Sequence, residues 1–130
     1  MIGIVIVAHG GLAKEYLSAV EHVVGQQGRI RAISIEADHD REKKRNEIRD
    51  AVDSVDTGDG VVVVTDMFGG SPSNLSMYAC QSENRKIIYG ANLPMLVKLA
   101  KSRRLDISEA VDRALNAGRK YINCCDNMPG

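Results

Sequence analysis

Tryptophan is absent from this sequence, and Phe68 is its only phenylalanine. Large aromatic anchors are therefore scarce, and a core has to be built from aliphatic side chains. Cysteines number 3: Cys80 stands alone and Cys124 and Cys125 are adjacent. That pattern suits neither a disulfide framework nor a C-x-x-C zinc site, and it predicts reduced thiols. Net charge is missing too, since Lys+Arg and Asp+Glu are 17 each. A broad basic footprint for nucleic acid or an anionic membrane surface is not expected. No apolar run approaches the roughly 18 residues that a membrane helix needs, so direct membrane insertion is not expected. The apolar start, residues 1–8, is short, lacks the basic flank of a signal peptide and runs into His9-Gly10-Gly11. It reads as a strand of a cytoplasmic protein.

What is present is ordinary for a globular chain: 130 residues, 44% hydrophobic and 26% charged. That size predicts one domain spanning residues 1–130. Four short runs are dense in Val and Ile: residues 2–7, 30–35, 61–64 and 87–89. The first and third are continuously apolar, as central strands covered on both faces are. The second and fourth are flanked by charge and read as less central.

Helical periodicity fills the gaps. Leu12, Tyr16, Val20 and Val23 fall on one face of a first helix. Residues 41–52 are highly charged, with Ile48, Ala51, Val52 and Val55 as an apolar stripe. Ser71-Pro72 reads as the N-cap and first position of a third helix, with Leu75, Tyr78 and Ala79 facing inward. Pro94 starts a fourth helix, and Asp106-x-x-Glu109 reads as the capping box of a fifth, which Gly118 ends or kinks. Strict alternation of strands and helices predicts an α/β domain with a mostly parallel sheet and right-handed crossovers. Residues 121–125 read as either a fifth strand or a continuation of the helix, with apolar character suited to packing on another subunit.

In open α/β sheets, ligands bind beyond the carboxyl ends of the strands, where the strand order reverses. Two segments fall at such ends: His9-Gly10-Gly11 after the first strand, and Asp66 through Pro72 after the third. If the order is 2-1-3-4, His9 and Asp66 face each other across the switch. A carboxylate that accepts the proton of one imidazole nitrogen fixes the tautomer and leaves the other nitrogen nucleophilic. Gly10 lets the backbone approach closely, and Gly69-Gly70-Ser71 lead into a helix N-terminus that favours an anion. Together they read as a histidine that accepts a phosphoryl group beside an anion cradle. Gly10, Gly69, Gly70 and Ser71 are the candidate phosphate contacts, with Ser71 a helix cap first. Phe68 is a core residue or a partner contact. His22, within the first helix, and His39, in an acidic loop, read as structural.

Other phosphate chemistries fit less well. There is no G-x-x-x-x-G-K-[ST] loop, and no G-x-G-x-x-G follows the first strand. A histidine phosphatase would want Arg where Ala8 stands, and a receiver domain would want acidic residues where His9-Gly10-Gly11 stand. A small-molecule hydrolase using His9 stays open as a reading.

Ala8-His9-Gly10, then Asp66-x-x-Gly69-Gly70-Ser71-Pro72-x-Asn74, then Gly90-Ala91-Asn92-Leu93-Pro94-Met95-Leu96, resemble the enzyme IIA domain of the mannose-type sugar phosphotransferase system, in order and spacing over essentially the whole chain. The resemblance implies that His9 takes a phosphoryl group from the phosphocarrier HPr and passes it to a IIB component. It implies that Asp66 holds the imidazole and that Ser71 and its loop receive the phosphoryl group. It implies a parallel sheet of order 2-1-3-4, and a homodimer that exchanges a C-terminal strand, which gives residues 121–125 a role. No metal or organic cofactor is implied. Free-standing members serve either in transport or in regulation of a target protein such as a kinase, and the sequence leaves both open.

Overall fold

The Val- and Ile-rich runs form the sheet. In a computed structural model describing residues 1–67, 70–82 and 84–126, β1 (Gly3–His9), β2 (Ile30–Ile35), β3 (Val61–Thr65) and β4 (Arg85–Ile88) are all parallel, in the order β2-β1-β3-β4. Five helices connect and cover them: α1 (Leu12–Val24), α2 (Arg41–Val55), α3 (Ser71–Ser76), α4 (Leu93–Lys101) and α5 (Ile107–Lys120). The expected fold class and strand order are what the chain adopts.

Strand periodicity divides the core in two. Ile4, Ile6 and Ala8 of β1 join Val62 and Val64 of β3 against α1, α4 and α5. Val5 and Val7 join Val61 and Val63 against α2 and α3. Both faces of the central strands are therefore apolar, which is why β1 and β3 read as unbroken hydrophobic runs.

Several local expectations shift. The inward stripe of α1 is buried Ala13 and Val20 with partly buried Tyr16, Leu17 and Val24, whereas Leu12 and Val23 are exposed. Both stripes satisfy a 3.6-residue period and share Tyr16 and Val20; small Ala13 takes the fully buried position. The N-cap of α3 is Gly70, so Ser71 is the first helical residue and makes no capping hydrogen bond. Leu75 and Ala79 are buried as expected, but Tyr78 stands outside on a 3₁₀ turn (Met77–Cys80), with the Arg45 guanidinium 4.3 Å from its ring centre. At α5, Asp106 accepts from Ser108 N–H at 3.1 Å, while Glu109 pairs with Arg113 instead of closing a capping box. Gly118 neither ends nor breaks α5: a Cβ there would lie 3.0 Å from Cβ of Met95, so its bareness lets α5 lie close on α4. Residues 121–126 form no strand within the single chain, and Tyr121 and Ile122 are exposed.

Buried Arg103 closes the amino-terminal end of the sheet. Its Nε donates to Ile2 O at 2.8 Å, Nη1 to Gly28 O at 2.7 Å and Nη2 to Arg29 O at 2.9 Å. Arg29 sits at φ 57°, an uncommon conformation for a residue with a side chain, and this clamp helps hold it. Among the described residues, no helix is long and apolar enough to cross a membrane.

Candidate functional site at the strand switch

Neighbouring central strands bring His9 and Asp66 together. β1 and β3 pair with Val7 opposite Thr65, so the residues that follow leave the sheet side by side at its carboxyl edge. β2 leaves β1 on its other side, and the chain order reverses here.

The contact is direct. His9 Nδ1 lies 2.8 Å from Asp66 Oδ2, and the His9 backbone N–H donates to the same oxygen at 3.1 Å. Oδ1 accepts from Met67 N–H, also at 3.1 Å. Burial pushes the Asp66 carboxyl up, but the two hydrogen bonds from His9, the attraction of the imidazole and a backbone bond outweigh it and hold the group below its ordinary value. An ionised carboxylate only accepts, so Nδ1 is the donor. In the neutral ring the lone pair is then at Nε2. The side chain of Asp66 is 12% exposed and that of His9 is 48% exposed. The carboxylate is sheltered while the imidazole is presented to solvent.

Nε2 and Cε1 face the start of α3. A Cβ on Gly70 would be 3.2 Å from Cε1 and 3.6 Å from Nε2. The positive end of the helix dipole therefore lies beside the lone-pair side of the ring. Gly10 turns the chain away from β1 at φ +55°, a conformation glycine adopts at no steric cost, and its N–H donates to Ile35 O at 3.0 Å.

The structure thus brings together His9, Asp66, Gly10, Gly70 and Ser71. Phe68 and Gly69 lie outside the described residues. His22 is exposed in the last turn of α1, and His39 Nδ1 bonds Glu36 O at 2.6 Å, so neither joins the site. Tyr16 is an unforeseen neighbour. Its hydroxyl donates to Ala91 O at 3.0 Å. Burial, and then the Asp66 charge, push its phenol up. Sequence periodicity assigned Tyr16 to the core; the one signal available was a hydroxyl placed on an otherwise apolar stripe.

A doubly covered parallel sheet with a carboxylate-bonded imidazole at its switch point defines a class: α/β domains that carry a histidine beside a helix N-terminus at the carboxyl edge of the sheet. Within that class, residues 3–115 match the EIIA-man family, described as the PTS system fructose IIA component, and the chain belongs to that family.

The PTS system mannose-specific EIIAB component of Escherichia coli K12 is 31% identical over 131 residues, covering 98% of this chain and 41% of that protein. The chain therefore spans well under half the length of that relative. Among solved structures, the phosphotransferase system component EIIA from Streptococcus agalactiae superposes with a TM-score of 0.79 at 28% identity, covering 95% of this chain and 97% of that one. The mannose/sorbose specific IIA subunit from Enterococcus faecalis has the same fold, with a TM-score of 0.87 at 20% identity, covering 98% of this chain and 97% of that one.

Proposed function

We propose that the whole chain, residues 1–130, is one IIA domain working in the cytoplasm as a phosphoryl carrier in sugar uptake. His9 Nε2 accepts the phosphoryl group from phospho-HPr and passes it to a IIB component. The observation that carries this reading is the 2.8 Å contact between Nδ1 and Asp66, which puts the ring proton on the carboxylate side and leaves the Nε2 lone pair on a half-exposed ring beside the start of α3.

The steps balance simply. The Nε2 lone pair attacks phosphorus, the bond from phosphorus to the donor protein's histidine nitrogen breaks, and that nitrogen keeps the electron pair. Asp66 stabilises the positive charge that develops on the ring. Gly10, Gly70 and Ser71 are assigned to contact the transferred oxygens, with Gly69 a further candidate from the sequence motif, and the N-terminus of α3 favours their negative charge. Return transfer to the acceptor runs the same chemistry in reverse. Phe68 is assigned to contact with the partner proteins. A homodimer exchanging residues 121–125 is supported by their exposure and by β4 lying at the edge of the sheet.

The test is labelling from phosphoenolpyruvate through the upstream carrier proteins. Wild type should become an acid-labile, base-stable phosphoprotein, and His9→Ala should not label. Asp66→Asn should fold and transfer at least roughly tenfold more slowly, as seen when the partner that orients a functional imidazole is lost. Labelling of His9→Ala at the wild-type level would remove His9 from the mechanism.

A further inference from the structure

The loop between β4 and α4 is fastened on three sides. Ala91 N–H donates to Thr65 O at 3.0 Å, and Thr65 is the last residue of β3, directly before Asp66. Ala91 O accepts from the Tyr16 hydroxyl at 3.0 Å. Asn92 accepts from Met95 N–H at 3.0 Å and donates through Nδ2 to Gly118 O, also at 3.0 Å. Through Ala91, a side chain on α1 is tied to the backbone that carries the carboxylate.

We propose that Tyr16 is a positioning residue for the His9–Asp66 pair: by holding Ala91 against the end of β3, its hydroxyl sets where the Asp66 carboxylate meets the imidazole. The inference rests on reading His9 and Asp66 as the transfer pair. Three features support it. Tyr16 is partly buried and packs its ring on the core from α1, contacts a phenylalanine would also make, and its hydroxyl is committed to Ala91 O. The phenol is close enough to feel the Asp66 charge. Yet its proton goes to Ala91 O, which leaves Oδ2 of Asp66 to the two donors of His9. Among the described residues, His9 of β1 lowers the Asp66 carboxyl, and the Asp66 charge in turn raises the Tyr16 phenol on α1.

Tyr16→Phe keeps the ring and deletes only the strap. Two readouts apply to the full chain: the carboxyl carbon-13 titration of Asp66, and single-turnover phosphoryl transfer through His9. Loosened contacts with His9 should let the Asp66 midpoint rise toward its ordinary value. Transfer should slow by roughly tenfold, the scale of effect that misplacement of a reacting group produces. An amide spectrum verifies that the variant is folded. A structural tyrosine would lower the melting temperature and move neither readout. Asp66 titrating as in wild type overturns the proposal, and so does an unchanged transfer rate. If wild type never labels at His9, the phosphocarrier reading fails, and the carboxyl titration still decides whether Tyr16 positions Asp66.

Discussion

A Cβ placed on Gly70 would stand 3.2 Å from Cε1 of His9, a tight contact that one of the two must relieve by a few tenths of an ångström. Gly70 has φ −87° and ψ 174°, which any residue adopts. Its bareness therefore serves the imidazole and not the backbone. Gly70→Ala should fold with stability unchanged or raised by about 0.4–1 kcal/mol, because the unfolded chain loses freedom. The ring or the loop must still yield by a few tenths of an ångström. Phosphoryl transfer should fall while the melting temperature holds, and a variant as active as wild type would show that the ring tolerates the shift.

Gly3 gives the opposite result for a neighbouring reason. A Cβ there would collide with the backbone carbonyl oxygen of Val55, at the end of α2. A carbonyl cannot rotate away as a side chain can, so β1 and α2 must separate. Gly3→Ala should destabilise by about 1–3 kcal/mol. Urea denaturation reads this as a lower midpoint at constant slope.

Acid should weaken the pair in a defined window. The Asp66 carboxyl is held below its ordinary value of 3.8. A group whose folded pKa is depressed adds stability that is present above the unfolded pKa and is lost as pH falls through the folded one. As pH falls below the ordinary value of 3.8, wild type should therefore lose melting temperature faster than Asp66→Asn, which cannot titrate there. Parallel curves would mean that the His9 contacts do not stabilise the carboxylate.

Arg103 anchors the other end of the sheet without a carboxylate partner among the described residues. Its guanidinium satisfies carbonyls of Ile2, Gly28 and Arg29. Arg103→Leu fills part of the space but takes the guanidinium donors away from Ile2 O and Gly28 O, at about 1–3 kcal/mol for each that stays buried, whereas Arg29 O keeps the Ile4 N–H at 3.1 Å. The total loss should be about 1–3 kcal/mol on that scale, because Gly28 is exposed and its carbonyl can turn to water. Calorimetry should record it as a fall in melting temperature.

The three thiols should separate by reactivity. Burial pushes the Cys80 thiol up to about 11, with the Arg85 charge opposing. Cys124 and Cys125 are exposed. Thiolate is the reactive form, so a disulfide reagent at neutral pH should modify the pair quickly and Cys80 only slowly or on unfolding. Rapid modification of all three would place Cys80 in an opened segment.

How much was legible follows from how local each signal is. The unbroken apolar runs of β1 and β3 marked central strands because a doubly covered strand needs apolar residues on both faces. His9 and Asp66 were legible because strand ends next to glycines are where an α/β sheet presents chemistry. The facing side of α1 was not: two overlapping stripes satisfy one helical period, and only packing against β1 selects Ala13 over Leu12. The Ser71 cap missed by one residue, since Ser-Pro suits either of two adjacent positions and the helix starts one residue earlier, with Gly70 as its cap. Tyr16 could not be assigned from sequence, because its hydroxyl acts on a loop 75 residues away. Composition, period and motif spacing determined which segments become strands and which residues end them. Registers, hydrogen-bond partners and the clamp at Arg103 were decided only by the folded chain, because those contacts join residues far apart in sequence and form only after the sheet and helices have packed.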